Sequence, residues 1–220
     1  MSKRKQLTFF VLFLIIVLPV IITIFLKTGK NVYRPLPYIG FKYEKAPGDT
    51  AYQSIYDTFP DFELTDQAGR KTGAKDLKGK IFAVDFIFTT CPNICPVMTS
   101  NLKSVQEEYM NDNDVRMVSI SVDPEHDIVD SLASYAKKFD INKDKWFLLT
   151  GDRKYIYKLM SEKGFLITRP ETPLAHSEIV ELIDKEGHIR GQYKGTNPME
   201  IDKLIEDIHA LQVAYKKEKK

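Results

Sequence analysis

Residues 81–101 read IFAVDFIFTTCPNICPVMTSN. The first eight form an apolar run broken only by Asp85. Its length and its flanks read as a strand buried on both faces. Cys91 and Cys95, the only cysteines of the chain, follow directly, and residues 97–110 then carry a helical pattern. Two thiols four apart at a strand-to-helix junction can meet the same small object. That object is either a soft metal ion or the sulfur of a redox partner. A cysteine at a helix start has its thiolate favoured by the positive end of the dipole. Pro96 fits an early helical position, where a missing N–H costs little.

Strand and helix signals alternate on both sides of this stretch. Residues 61–65 alternate in polarity and 66–69 turn. A second buried strand is expected over 115–122, a helix over 127–139, a short strand over 146–149 and a helix over 154–163. Strands over 178–183 and 188–193 flank a DKEG turn at 184–187, and a helix over 199–215 closes the pattern. This order predicts an α/β fold with a mostly parallel central sheet flanked by helices.

The chain has 220 residues, 43% of them hydrophobic, enough for one domain with a real core. A formal charge of +2 with no basic, aromatic-laced stripe argues against nucleic acid as a partner. Residues 7–26, LTFFVLFLIIVLPVIITIFL, carry no charge and follow Lys3, Arg4 and Lys5. About 20 such residues span a bilayer. The basic flank keeps the short N-terminus cytoplasmic and sends the rest across. A cleaved signal peptide fits less well: the run exceeds the usual core of about 7–15 residues and no small-x-small site follows. The expected organisation is a cytoplasmic N-terminus (1–6), a transmembrane anchor (7–26), a juxtamembrane spacer (27–50), a folded domain (51–215) and a basic tail (216–220). Within the spacer, RPLPYIG at 34–40 is suited to lie extended on the domain. The expected location is the cell (inner) membrane, single-pass, with the domain on the extracytoplasmic, periplasmic side.

Export bears on the cysteines. Outside the cytoplasm paired cysteines are usually structural, yet a bridge from Cys91 to Cys95 closes almost no loop and stabilises little. A short bridge suits a pair that cycles. As metal ligands, two thiolates suffice for Cu(I), Cu(II) asks for a further nitrogen, and structural zinc asks for four ligands. Four histidines are available: His126, His176, His188 and His209. His209 reads as surface of the last helix and His188 as part of the hairpin turn. His126 ends a strand on the side where parallel strands deliver their C-termini. His176 ends a loop carrying Pro170 and Pro173 and precedes the strand at 178–183. Spacing alone leaves each open as ligand or structural residue.

FIFTTCPNICPVM, SVDPEHD, KWFLLTG and LAHSEIVELIDKEGHIRGQY, in this order and spacing, resemble the Sco/SenC family over about residues 35–213. Members are membrane-anchored, thioredoxin-like copper proteins that help assemble the binuclear copper centre of cytochrome c oxidase. The resemblance implies a thioredoxin-like fold and copper, Cu(I) or Cu(II), held by Cys91, Cys95 and His176. It also implies as partners the copper-accepting oxidase subunit and other copper chaperones or thiol–disulfide oxidoreductases. Family members often carry an acidic residue where this chain has Asn93, and an arginine where it has His126. The less negative surroundings are expected to favour Cu(I) over Cu(II).

Asp85, six residues before Cys91, is similar to the buried aspartate of thioredoxins, which helps move the proton of the second thiol; a buried carboxylate has a raised pKa and can act as a base. An aspartate satisfied by the backbone is the other reading. Met98 reads as a core methionine, with its thioether a second option as a Cu(I) donor. The leading reading is therefore a metallochaperone, not an enzyme. A thiol–disulfide reductase that keeps the recipient's cysteines reduced is the alternative. A peroxidase, suggested by Thr90 before Cys91, is opposed by Pro92 and by the nearby second cysteine.

Overall fold

The structure, a computed structural model, describes residues 3–28, 35–45, 52–56, 58–161 and 178–218, with side chains over 11–23, 35–40, 58–160 and 178–217. It divides into two units, Met1–Arg34 and Pro35–Lys220.

The first unit is a helix, α1 (Lys3–Thr28), which contains Pro19. Pro19 has no N–H for the helical carbonyl one turn before it, and its own carbonyl accepts the hydroxyl of Thr23, one turn later. Among the described residues no helix is long and apolar enough to cross a membrane. Of the uncharged residues 7–26, side chains are described for 11–23.

In the second unit, β1 (Phe41–Lys45) and β2 (Tyr52–Tyr56) form an antiparallel pair. β1 falls within the stretch expected to be spacer. The main sheet contains β3 (Glu63–Asp66), β4 (Lys71–Gly73), β5 (Ile81–Ile87), β6 (Val115–Ser121), β7 (Trp146–Thr150), β8 (Ile179–Ile183) and β9 (Ile189–Lys194). Its spatial order is β4-β3-β7-β6-β5-β8-β9. The helices are α2 (Ala74–Leu77), α3 (Ile94–Glu108), α4 (Val129–Lys138), α5 (Arg153–Ser161) and α6 (Pro198–Glu218).

The sheet is mixed rather than mostly parallel. Among the described strands only the pairings β5–β6 and β6–β7 are parallel, because α3 and α4 cross over between those strands. β3 with β4, and β8 with β9, are joined by short turns, and such connections force antiparallel pairing. β3 against β7 and β8 against β5 are antiparallel as well. The turn between β8 and β9 places Gly187 at φ +88°, a left-handed conformation that a side chain would strain.

All seven residues of β5 are buried, and all five of β7, as expected of central strands covered on both sides. Alternation along β5 sorts its side chains between two cores. Ile81, Ala83 and Ile87 face the core with Met98 and Leu102 of α3, Leu132 of α4 and Ile208 of α6. Phe82, Val84 and Phe86 face the other, with Ile156 and Leu159 of α5. The same alternation puts Asp85 on the face of the first core, which also contains both cysteines.

Residues 35–40 lie against β9, as their sequence suggests. Ile39 N–H donates to Ile189 O at 2.9 Å. Arg190, 8% exposed, donates to Leu36 O at 2.6 Å and to Pro37 O at 3.1 Å, with Tyr38 stacked 4.0 Å from its guanidinium. The charge of Arg190 is balanced by the buried Asp184 carboxylate at 2.8 Å.

Candidate metal and redox site

β5 ends in a short irregular segment held by backbone bonds: Val122 N–H to Ile87 O at 2.9 Å and Cys91 N–H to Phe88 O at 3.1 Å. α3 begins directly afterwards. Its N-cap residue, Asn93, supplies no side-chain cap. The sulfur of Cys91 takes part of that task, accepting Cys95 N–H at 3.4 Å. The first turn of a helix has N–H groups with no intrahelical partner, and a sulfur placed there is stabilised as the thiolate.

Both cysteines are thiols rather than a disulfide, and both are buried, at 5% and 3% exposure. They are nevertheless unequal. Burial works against the Cys91 thiolate, but the N–H groups of Cys95, Asn93 and Ile94 and the Cys95 thiol outweigh it, holding Cys91 below the ordinary thiol range. Burial pushes Cys95 up to about 12, with the neighbouring Cys91 and Asp85 charges acting in the same direction. One sulfur is poised as nucleophile or metal ligand, while the other keeps its proton until a base or a metal takes its place.

Asp85, 2% exposed, is pushed up to about 7 by burial, partly offset by the hydroxyl of Ser119. That hydroxyl donates to Asp85 Oδ1 at 2.5 Å and accepts the indole N–H of Trp146 at 2.8 Å. Asp85 Oδ2 has no hydrogen-bond partner. The donor to Oδ1 is thus a side-chain hydroxyl rather than the backbone donor of the alternative reading. Thr99 donates to Cys95 O at 2.8 Å and pairs at 2.8 Å with the hydroxyl of Tyr135. Burial raises that phenol, with the charges of Cys95, Asp85 and Cys91 adding to the effect. Strand, α3 and α4 thus deliver a carboxyl, two thiols and a phenol to one largely apolar region.

His176, with the loop carrying Pro170 and Pro173, lies outside the described residues. His126 is exposed and pairs with Asp123 at 2.8 Å. His188 packs edge-on against Tyr38, with ring centroids 5.3 Å apart, in the β8–β9 turn. His209 is exposed on α6. Met98 is fully buried, so close to Gly195 that a Cβ there would sit 2.8 Å from its Cε; it is a core methionine. A cleft of about 350 Å³ lined by Phe59, Leu77, Phe82 and Lys185 lies at the other end of the sheet, where β5 begins. Asp184, Glu186 and His188 also approach one another there, but the Asp184 carboxylate is occupied by Arg190 and by the N–H groups of Glu186 and His188.

Ser119, Trp146, Tyr135 and Asp127 were not singled out from sequence. Ser119 had a signal: pairing the apolar runs of β5 and β6 first residue with first residue sets Asp85 opposite Ser119, the register observed. Tyr135 and Asp127 reach the site from 36 and 38 residues away and had none.

The sequence profile of the SCO1/SenC family matches residues 50–212. A SCO1/SenC family lipoprotein from Bacillus anthracis is 33% identical, with a TM-score of 0.64, over 72% of this chain and 96% of that one. BsSco, described with a disulfide switch and as a member of the Sco family of cytochrome c oxidase assembly proteins, is 29% identical, with a TM-score of 0.63, over 72% and 95%. ScoI of Arabidopsis thaliana, solved with copper bound, is 27% identical, with a TM-score of 0.57, over 70% and 98%.

Proposed function

The chain belongs to the SCO1/SenC family, and on that premise we propose that it is a membrane-anchored copper chaperone serving the binuclear copper centre of cytochrome c oxidase. Copper is its cargo, held by Cys91, Cys95 and His176 and passed by ligand exchange to the oxidase subunit that accepts it. The observation that carries this reading is the meeting of two buried, unoxidised sulfurs at the first turn of α3, one of them held towards thiolate. Soft donors in a dry, pre-arranged pair suit Cu(I), and an added imidazole suits Cu(II). The copper-bound Arabidopsis relative and the oxidase-assembly role of BsSco support the same assignment.

Residues 7–26 are the anchor in this reading. Val11, Phe13, Ile15, Ile16, Leu18 and Ile21 all lie exposed on α1, and a helix that is apolar all round belongs in a core or a bilayer. The lipoprotein nature of the Bacillus anthracis relative also supports membrane attachment.

The test titrates the reduced full-length chain in detergent, with Cu(I) against a competing chelator and with Cu(II) by thiolate-to-copper absorption. His176→Ala is expected to lose the Cu(II) band and to keep part of the Cu(I) affinity. Identical titrations for both proteins would remove His176 from the site, and an absence of tight Cu(I) binding by the parent chain would remove copper.

Asp85 favours a second reading, a thiol–disulfide reductase. In that chemistry the Cys91 thiolate attacks a partner disulfide, forming a mixed disulfide and releasing one partner thiolate. Asp85 takes the Cys95 proton, and the Cys95 thiolate displaces Cys91's partner sulfur. The partner leaves with both sulfurs reduced, and Cys91–Cys95 becomes the disulfide. A base near 7 suits that proton transfer at physiological pH.

A further inference from the structure

We propose that Asp127 is a positioning residue for the cysteine pair, acting through Thr89 to hold the segment that presents Cys91 to Cys95. This rests on the reading of the two cysteines as the functional pair. Asp127 is fully buried in the connection between β6 and α4. Its Oδ1 and Oδ2 share Thr89 N–H at 3.2 and 3.1 Å, Oδ1 also accepts the Thr89 hydroxyl, and Oδ2 accepts the Ser121 hydroxyl at 2.6 Å. Hydrogen bonds to a buried carboxylate are among the strongest a fold makes, and both oxygens are satisfied here.

The direction of these bonds assigns the role. An aspartate this close to a helix start ordinarily caps that helix. α4 begins two residues later, yet its N-cap residue, Ile128, has no side-chain cap and Asp127 gives its carboxylate to Thr89 and Ser121 instead. Asp127 is itself held by its own N–H to Asp123 O at 2.9 Å, and Asp123 N–H is fixed by Ser121 Oγ at 3.1 Å. The carboxylate is therefore a rigid post in the turn that follows β6. Thr89 stands two residues before Cys91, in the segment that belongs to neither β5 nor α3. The post adds to the Cys91–Phe88 turn bond and the Cys95–Cys91 contact, which hold the other end of the Phe88 to Asn93 segment. A pair whose sulfurs are held near each other closes a disulfide, or grips one ion, more readily than a loose pair.

The experiment compares the full-length chain in detergent with Asp127→Ala, Asp127→Asn and Thr89→Val. Each is equilibrated with oxidised and reduced glutathione, in which two cysteine thiols and one oxidised glutathione give the Cys91–Cys95 disulfide and two reduced glutathiones. Asp127→Ala is expected to lower the closure constant at least about tenfold, a rise of about 30 mV in potential. Asp127→Asn, which keeps an acceptor for Thr89, and Thr89→Val, which keeps the N–H, shift it less and in the same direction. Cu(I) affinity falls in the same order. Thermal unfolding of the oxidised and reduced forms is measured alongside. A purely structural role lowers both forms equally and leaves the closure constant unchanged, and that result overturns the proposal. Should Asp127→Ala fail to fold, unchanged closure constants in Asp127→Asn and Thr89→Val overturn it equally. If the parent chain binds no Cu(I), the copper reading fails while the closure constants still decide the role of Asp127.

Discussion

At pH 7.5 iodoacetamide is expected to modify Cys91 at least about thirtyfold faster than Cys95. The reagent reacts with the thiolate, so the ratio follows the two thiolate populations, offset by about half on a logarithmic scale because the more basic thiolate is the better nucleophile. Cys95 is pushed up to about 12 by burial, whereas Cys91 is held below the ordinary value of 9.0 by the N–H groups around it. Each unit of separation is a tenfold ratio of populations. The two side chains are similarly exposed, 5% against 3%, so access does not account for such a ratio. Cys91→Ser is expected to abolish rapid labelling of the reduced chain, and Cys95→Ser to leave most of it. Time-resolved mass spectrometry of the alkylated protein reads both. Equal rates at the two positions would mean that the first turn of α3 does not separate the thiols, and the assignment of Cys91 as leading sulfur would fall. The asymmetry matters for either function: copper can be received first on the ionised sulfur, and a disulfide can be attacked only by it.

The substitution Asp85→Asn is expected to stabilise the chain at pH 8 while slowing its reduction of a disulfide substrate. The carboxyl titrates at about 7 in the fold against an ordinary 3.8, chiefly because burial penalises its charge. Between those values the folded chain holds a proton that the unfolded chain has lost, so stability falls as pH rises from about 4 to about 7 and stays low above that. The full span is on the order of 4 kcal/mol at about 1.36 kcal/mol per unit. Asparagine cannot ionise and removes this cost. It also puts an amide N–H₂ where Asp85 Oδ2 has no partner, which costs about 1–3 kcal/mol. The net gain at pH 8 is on the order of 2 kcal/mol, and near pH 4, where the aspartate is already neutral, only the loss remains. Urea unfolding at pH 4.5 and pH 8 should therefore show the two stability curves crossing; parallel curves would disprove the charge penalty. The exchange rate of the parent should climb with pH through about 7 as the base form appears, and the variant should lack that step. Copper binding should survive the substitution, which separates the base from the ligands.

The sequence by itself determined a good deal. Mostly apolar runs, interrupted by Asp85 in β5 and by Arg116, Ser119 and Ser121 in β6, predict both strands to within a residue, because strands covered on both faces are dominated by apolar side chains. The spacing of Cys91 and Cys95 against the end of β5 predicts their meeting at a helix start, since that contact is local. The docking of 35–40 was legible in its prolines, although the strand β1 just after it was not.

Only the tertiary structure decided the rest. The antiparallel flanks of the sheet follow from which neighbours β3 and β8 find, not from their own composition. The inequality of the two thiols comes from burial and from N–H groups aimed at one sulfur, and a spacing of four residues carries neither. Asp85 could be read as buried and as a candidate base. That one of its oxygens is taken by Ser119, itself braced by Trp146, and the other left bare depends on the pairing of three strands. Asp127 lies further still from local logic: it looks like the cap of α4, yet its carboxylate serves a loop 38 residues away. Local sequence sets which groups are near Cys91 along the chain, whereas hydrogen bonding and desolvation depend on what folding brings there from elsewhere.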